Sequence, residues 1–371
     1  TQANTRQGLG VQVRQKMSVS EHIRLAEQLN LKALSSIAIV GLGKDAGKTT
    51  ALNHIMRAAE QAMPKRSLAI TSIGRDGEPE DVVTGNVKPR VYVKKGQLVG
   101  TARRSIMRGD ASLEVLSLSG IRTAEGEVAI LQARSNGFVE LAGPSIASDI
   151  TQLEQQLRSF APDCLMLIDG ALSRTSPAGG GLTEAVVLVG GMANASSIEE
   201  LAYKIRKQVE NLTRPALDQD LQALASNAFH NHPKARALIF NGPGEIRRIL
   251  ELPALIGHGE EIKKALLPDD TVLVLRGAMT SRVVSELLNS EHFEKIKLVA
   301  EDGTRYFIDD QTMKRLAQRD VTLHVLHPLL LPLVIVNPKA VDGHAVDVDS
   351  LIHTVSSEIE VPVAQLGASG W

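Results

Sequence analysis

The sequence predicts an α/β fold in which a mostly parallel sheet is covered by helices. Short apolar runs rich in Val, Ile and Leu recur along the chain, and segments with helical periodicity lie between them. Some runs are apolar at every position, as at 164–168 and 185–189, which is typical of parallel strands buried on both faces. A glycine-rich segment, 41–47, joins the first apolar run to the first long helical pattern.

The elements of the first half follow from these patterns in order. Ser18 or Ser20 can cap a short amphipathic helix that runs through Leu31, because a hydroxyl accepts hydrogen bonds from the first helical N–H groups. Pro64 ends the helix after the glycines, since proline cannot continue a helix. Strands are predicted at 37–40, 67–73, 90–93, 97–100, 128–133, 164–170 and 185–191, and helices at 145–157 and 197–209.

The second half repeats the alternation of strands and helices. Strands are predicted at 237–240, 272–275, 297–300, 322–325 and 333–336, and helices at 281–288 and 311–319. The candidate boundary between two domains lies in the polar stretch 214–234, which contains Pro233. We therefore divide the chain into a polar segment with a helix (1–34), a nucleotide-binding domain (35–225) and a C-terminal α/β unit (226–371). This last unit is either an extension or a continuation of the same sheet.

The composition argues against several classes of partner. Aromatic residues make up 3% of the 371 residues and the formal net charge is −1, which disfavours binding to nucleic acids and to anionic membranes. The single cysteine, Cys164, cannot form an internal disulfide, as expected in a reducing compartment. No apolar stretch reaches membrane-spanning length and no segment resembles a signal peptide. We expect a cytoplasmic protein that binds neither nucleic acid nor membrane.

The segment from Gly41 to Thr50, GLGKDAGKTT, carries the most information about function. A strand, a glycine loop that ends in Gly-Lys-Thr and a helix form the phosphate-binding arrangement of P-loop nucleoside triphosphatases. Glycines let backbone N–H groups contact phosphate oxygens, and the helix N-terminus adds further donors. The predicted nucleotide-binding residues are Gly43, Lys44, Asp45, Ala46, Gly47, Lys48, Thr49 and Thr50.

Individual side chains of this segment have distinct predicted roles. Lys48 is a predicted catalytic residue that reaches the β- and γ-phosphates, and the Thr49 hydroxyl is a predicted Mg²⁺ ligand. The loop departs from the spacing G-x-x-x-x-G-K-[ST], because Leu42 stands where the first glycine is expected. Lys44 resembles the second lysine of P-loop proteins that couple dimerisation to hydrolysis, so a homodimer is one expectation.

Charged residues near other strand ends complete the predicted site. Asp169 follows an apolar strand and is expected to hold Mg²⁺ or its water, or else to cap the next segment. Asp76, in the loop after the second predicted strand, is the first choice for positioning the attacking water. Arg174 lies close enough to Asp169 along the chain to stabilise phosphate charge, unless it is an ordinary solvated arginine.

The predicted nucleotide is ATP with Mg²⁺, and GTP remains the alternative. An Asn-Lys-x-Asp motif, which reads guanine, does not follow any suitable predicted strand. Asn241 and Asn337 end two predicted strands, where base-contacting residues could lie. The missing motif therefore favours adenine over guanine without deciding between them.

Four stretches together resemble one family. They are IVGLGKDAGKT at 39–49, TSIGRDGE at 71–78, KPRVYV at 88–93 and IDGALSR at 168–174. They are similar to the P-loop subunit of the reactivating system for lysine 5,6-aminomutase, an adenosylcobalamin enzyme. The resemblance runs from the phosphate loop to the stretch 336–338. It implies an ATP-driven chaperone that helps an inactivated aminomutase release damaged cobalamin and accept fresh cofactor.

The residues leave other functions open. A small-molecule kinase or an ATP-dependent ligase would use the same loop, with its acceptor pocket in the C-terminal half. A GTPase that inserts a metal or a cofactor is a further alternative. The leading expectation is an ATPase that remodels a partner enzyme, with Lys48, Thr49 and Asp169 at the phosphates and the metal, and with the loop around Asp76 sensing the γ-phosphate.

Overall fold

The structure is a computed structural model, and it describes residues 17–74, 90–170 and 183–367. Its helices are α1 Val19–Gln28, α2 Lys48–Ala62, α3 Ala147–Phe160, α4 Ile198–Leu212, α5 Gln219–Asn231, α6 Gly259–Ala265, α7 Ser281–Leu287, α8 Asp310–Gln318 and α9 Val348–Glu358. Its strands are β1 Ser36–Gly41, β2 Leu68–Ser72, β3 Val91–Val93, β4 Leu98–Ala102, β5 Leu113–Thr123, β6 Gly126–Ala133, β7 Gly137–Val139, β8 Leu165–Asp169, β9 Ala185–Gly191, β10 Ala235–Asn241, β11 Ile246–Glu251, β12 Asp270–Leu275, β13 Met279–Thr280, β14 Lys297–Ala300, β15 Tyr306–Phe307, β16 Thr322–Val325, β17 Leu330–Asn337 and β18 Val363–Gln365.

The larger sheet has nine strands in the order β18-β17-β9-β1-β8-β2-β4-β6-β5. Every pairing from β18 to β4 is parallel, and β6 is antiparallel to both of its neighbours. Parallel neighbours need crossover connections, which here place helices over the sheet. The predicted α/β architecture with a mostly parallel sheet is therefore confirmed.

Helices cover both faces of the larger sheet at its centre. Successive side chains of a strand point to opposite faces, and both sets of β1 side chains pack on helices. Ile37 and Ile39 of β1 lie in one apolar cluster with residues of α1 and α2. Ala38 and Val40 lie in a second cluster with residues of α3, α4 and α9. The central strand β1 is buried at every position, as its uninterrupted apolar pattern predicts.

A second sheet of five strands has the order β11-β10-β12-β14-β16. Strands β12, β14 and β16 are parallel, and β10 is antiparallel to both β11 and β12. Helices α6, α7 and α8 contribute to one apolar cluster and α5 to another. This sheet also lies between layers of helices.

The sheets do not follow the predicted division at residues 225 and 226. That boundary falls inside α5, where Ala225 and Phe229 pack on Phe240 of the second sheet. The range 226–371 contains strands of both sheets, because β17 returns to the larger sheet and pairs in parallel with β9. The second sheet is therefore inserted in the chain between β9 and β17 of the first.

The strands with simple apolar runs match their predicted positions, as at 185–191 and 297–300. The long strand β5 was not predicted, since most of its positions are exposed or partly exposed and the run has no clear alternation. The strands predicted at 90–93 and 97–100 are neighbours along the chain but do not pair with each other. Strand β3 pairs with β7, whereas β4 pairs with β2 and β6.

Within the ranges that the structure describes, no helix combines the length and the apolar character needed to cross a membrane.

Candidate functional site

The loop between β1 and α2 forms the centre of the candidate site. Asp45 has φ +58° and Gly47 has φ +107°, so the backbone turns through the left-handed region at both positions. Alternation of right- and left-handed residues directs successive N–H groups into a concave anion site. Gly47 precedes α2 and offers no side-chain cap, and the first turn of α2 contains no acidic residue. The N–H groups and the positive end of this helix are therefore suited to an anion.

Lys48 is the first residue of α2, and its side chain folds back over the loop. A Cβ atom at Gly41 would lie 2.9 Å from Cγ of Lys48, so glycine at position 41 leaves room for the lysine stem. The Lys48 ammonium donates to the carbonyl of Gly43 at 3.4 Å. Only 8% of Lys48 is exposed. The ammonium group is thus held at the loop, where it can neutralise a bound phosphate.

The loop packs closely on the end of strand β9. A Cβ atom at Gly191 would lie 2.8 Å from the carbonyl oxygen of Ala46, and one at Gly190 would lie 3.3 Å from a methyl group of Leu42. Leu42 itself donates its N–H to Val189 at 3.0 Å. Leucine at the position where a glycine is expected is therefore accommodated by this contact with β9.

Asp169 ends β8, the strand beside β1 on the other side. It is in register with Ile39, and the N–H of Gly170 donates to the Ile39 carbonyl at 3.0 Å. Since β1 and β8 are parallel, Asp169 and the loop after Gly41 lie at the same edge of the sheet. Asp169 is partly exposed as a residue, although its Oδ1 atom is buried.

The strand order places the loop at a topological switch point. From β1 the chain crosses to β2 on one side of the sheet, whereas β9 lies on the other side of β1 and leads on to β17. In open parallel sheets, ligands bind in the crevice outside the carboxyl ends of the strands at such a point. The loop after β1 and the turn after β9 border this crevice.

The structure brings most of the predicted site residues together. Residues Gly43 to Thr50 form the loop and the first turn of α2, and Asp169 lies at the same sheet edge. Asp76 and Arg174 lie outside the residues that the structure describes. The roles of all these residues as nucleotide and magnesium ligands stay predictions.

Two asparagines contact the loop from other strands. Asn194, in the 3-10 helix Met192–Asn194 after β9, donates its side-chain amide to the carbonyl of Lys44 at 2.8 Å. Asn337, at the end of β17, lies 3.2 Å from the position that a Cβ of Gly47 would take. The sequence marked Asn337 as the end of a strand, but no motif or spacing distinguishes Asn194.

The chemistry of this site fits a magnesium-bound phosphate chain. It combines an uncapped helix N-terminus, a lysine held at the loop, two threonines in the first helical turn and a carboxylate on the neighbouring strand. No family model, no curated protein and no solved structure matches this chain.

Proposed function

We propose that this protein binds a nucleoside triphosphate with Mg²⁺ at the loop 41–50 and hydrolyses it, with ATP as the substrate. The observation that carries the proposal is the placement of Lys48 and Asp169. They lie at the carboxyl ends of the neighbouring parallel strands β1 and β8, beside an uncapped helix N-terminus. This is the arrangement that phosphoryl transfer needs, because the reaction depends on positioning and charge stabilisation.

Each residue of the site then has a defined task. The loop N–H groups and Lys48 bind the phosphates, and the hydroxyl of Thr49 and the carboxylate of Asp169 hold the metal. Magnesium supplies positive charge that neutralises the phosphates. We propose Asp76 as the residue that positions the attacking water, and Arg174 as a cation that stabilises the charge on the transferred phosphate.

We further propose that hydrolysis drives the remodelling of a partner enzyme in the cytoplasm. The resemblance to the reactivating subunit for lysine 5,6-aminomutase names a cobalamin-dependent aminomutase as that partner. A link between the site and the second sheet supports a switch of this kind. The turn that contacts the loop at Lys44 continues into α4, whose Lys204 donates to the carbonyl of Asn194 at 2.7 Å.

The far part of α4 contacts the second sheet and its helices. Tyr203 and Lys207 both contact the carboxylate of Asp310 at the start of α8. Near the end of α4, the backbone of Asn211 approaches Gly303 so closely that a Cβ there would lie 2.3 Å from the Asn211 oxygen. A change in the phosphate loop can therefore reach the second sheet through one packed helix.

Titration calorimetry with Mg-ATP tests the proposal. Wild-type protein should bind, and Lys48→Ala should weaken binding strongly. Lys65→Ala, which changes an exposed lysine beyond the other end of α2, is the matched control and should bind as wild type does. Absence of binding by the wild type, or equal binding by Lys48→Ala, would overturn the proposal.

Two further measurements separate the proposed function from its alternatives. Competition between GTP and ATP for the site shows which base the protein prefers. Tighter binding of GTP would favour the alternative of a GTPase that inserts a metal or a cofactor. Fast turnover that depends on an added metabolite would favour a kinase or ligase, whereas slow basal hydrolysis favours a switch. Capture of an aminomutase by the Lys48→Ala form from the native host would identify the partner.

A further inference from the structure

We propose that Asn194 is a positioning residue for the triphosphate. Its amide fixes the peptide group between Lys44 and Asp45 so that the N–H of Asp45 faces the bound phosphates. This inference rests on the proposed function, because it assigns a role within the same phosphate loop.

The geometry of one peptide group carries the argument. Nδ2 of Asn194 donates to the carbonyl oxygen of Lys44 at 2.8 Å. In a trans peptide the carbonyl and the following N–H point in opposite directions, and the described residues contain no cis peptide. The N–H of Asp45 therefore points away from Asn194. Asp45 is also one of the two left-handed residues of the loop, with φ +58°, and left-handed residues are a component of anion-binding nests.

The orientation of the Asn194 amide is determined by this contact. Its Oδ1 atom is buried and has no hydrogen-bond partner among the residues that the structure describes. The opposite orientation would bring two oxygen atoms together, Oδ1 of Asn194 and the carbonyl of Lys44. The amide must then present its NH₂ group to the loop.

Asn194 is itself held in place from both sides. Against the loop, Nδ2 lies 2.6 Å from the position that a Cβ of Gly43 would take, so only glycine at position 43 admits the amide. Behind it, Lys204 of α4 donates to the Asn194 carbonyl at 2.7 Å and pairs with Glu200 at 2.7 Å. Hydrogen bonds from Lys204 and Ser196 lower the pKa of Glu200 to about 2, so this anchor stays charged. These contacts place Asn194 against the loop, where its amide can orient the peptide before the ligand arrives.

The expected effect follows from the loss of that orientation. Without the Asn194 amide, the peptide between Lys44 and Asp45 loses the hydrogen bond that orients it, and nucleotide binding must supply the cost of ordering it. A single hydrogen bond of this kind corresponds to about a 2- to 12-fold change in affinity. Asn194→Asp should weaken binding more than Asn194→Ala, because a carboxylate of the same shape would face the Lys44 carbonyl and the phosphates.

Calorimetry with two magnesium-bound probes, ATP and inorganic tripolyphosphate, tests the inference. Asn194→Ala should weaken the binding of ATP and the binding of tripolyphosphate by the same factor. Asn194→Asp should weaken the binding of both probes further. Asn136→Ala is the matched control, since the Asn136 side chain also bonds to a loop peptide, at the N–H of Lys95, but it lies at the amino end of β4. A role in packing alone predicts instead that the isosteric Asn194→Asp binds as wild type does.

The outcomes separate this inference from the function on which it rests. If the wild type binds neither probe, the proposed function fails and this inference fails with it. If the wild type binds, Lys48→Ala does not, and both Asn194 variants bind as wild type does, only this inference is overturned. It is also overturned if ATP binding weakens while tripolyphosphate binding does not, since Asn194 would then contact the base.

Discussion

His22 and His54 meet inside the protein, with Nε2 of His22 and Nδ1 of His54 3.2 Å apart. His22 lies on α1 and His54 on α2, the helix that follows the glycine-rich loop 41–47. Their outer nitrogens face the backbone carbonyls of Ser18, at 2.9 Å, and Gly367, at 3.0 Å. The pair therefore connects α1, α2 and the end of the described chain.

This chain of contacts lacks one proton when both rings are neutral. Each carbonyl can only accept, so the three contacts need three N–H groups, and two neutral imidazoles carry two. A third proton would complete the chain but would add a buried charge. Burial lowers the pKa of His54 to about 4, an effect that the hydrogen bond to Gly367 opposes and that His22 and Arg57 reinforce.

The first prediction is that stability falls as the pH drops from about 6.5 to about 4. The pKa of His54 is depressed in the folded protein, so the unfolded chain binds a proton at higher pH than the native state does. The stability that comes from neutral, buried His54 is fully present above the pKa that His54 has in the unfolded chain. It is lost as the pH falls toward the pKa of His54 in the folded protein, and the loss amounts to about 3 kcal/mol at most. Urea unfolding measured at several pH values gives the free energy directly.

Two variants assign this pH dependence to its residue. His54→Gln should show a shallower fall of the unfolding free energy over the same pH range. His344→Gln, which changes an exposed histidine, should keep the wild-type slope. Equal slopes in all three proteins would contradict the assignment to His54, since other titrating groups are common to all of them.

The second prediction concerns Asp169. Asp169→Asn keeps the shape of the side chain but removes the charge that would hold Mg²⁺, so the magnesium concentration needed for hydrolysis should rise about 10- to 100-fold. Hydrolysis rates measured against magnesium concentration test this. Asp163→Asn, which changes an exposed carboxylate just before the same strand, should leave the magnesium dependence unchanged. An unchanged dependence in Asp169→Asn would exclude the proposed metal role.

The third prediction is that Gly191→Ala distorts the phosphate loop. The added methyl group would lie 2.8 Å from the carbonyl oxygen of Ala46 and 2.9 Å from its Cα, so the backbone of the loop must move. We expect weaker Mg-ATP binding and a lower melting temperature. Gly242→Ala is the control, because its nearest neighbour would be 3.8 Å away. Binding at wild-type affinity by Gly191→Ala would show that the loop does not need this contact.

The fourth prediction is that Cys164 reports on unfolding. Only 1% of Cys164 is exposed, and burial raises the pKa of its thiol, so the native protein should react very slowly with a thiol reagent. Labelling with Ellman's reagent should therefore accelerate in step with urea unfolding measured by circular dichroism. Rapid labelling of the native protein would contradict the burial of Cys164.

The fifth prediction concerns the link through α4. Addition of Mg-ATP should change the amide hydrogen exchange of residues 302–310, because α4 contacts both the phosphate-loop turn and Asp310. Lys207→Ala removes one of the contacts to Asp310 and should reduce this change. Lys234→Ala, an exposed lysine outside α4, should not. Absence of any nucleotide-dependent change in 302–310 would argue against the link.

Much of the fold could be predicted from local patterns of apolar and polar residues. The buried strands at 185–191 and 297–300 are found where the apolar runs predict them, and the loop before α2 lies between a strand and a helix as predicted. Strand β5 was not predicted. It lies at the edge of the sheet, and an edge strand does not need a continuous apolar run. Whether the C-terminal strands continue the first sheet was left open, since a strand's own residues do not specify which sheet it joins; β17 does return to the first sheet.

The glycine-rich loop before α2, the acid at the end of β8 and the alternation of strands and helices could be predicted from the sequence, because they depend on periodicity and on residues close together along the chain. Only the tertiary structure placed β8 and β9 on either side of β1, which brings Asp169 and Asn194 to the same edge as the loop. It also decided the contact between His22 and His54. Backbone hydrogen bonds between strands are alike in any order, so the packing of distant side chains, not local pattern, selects the neighbours.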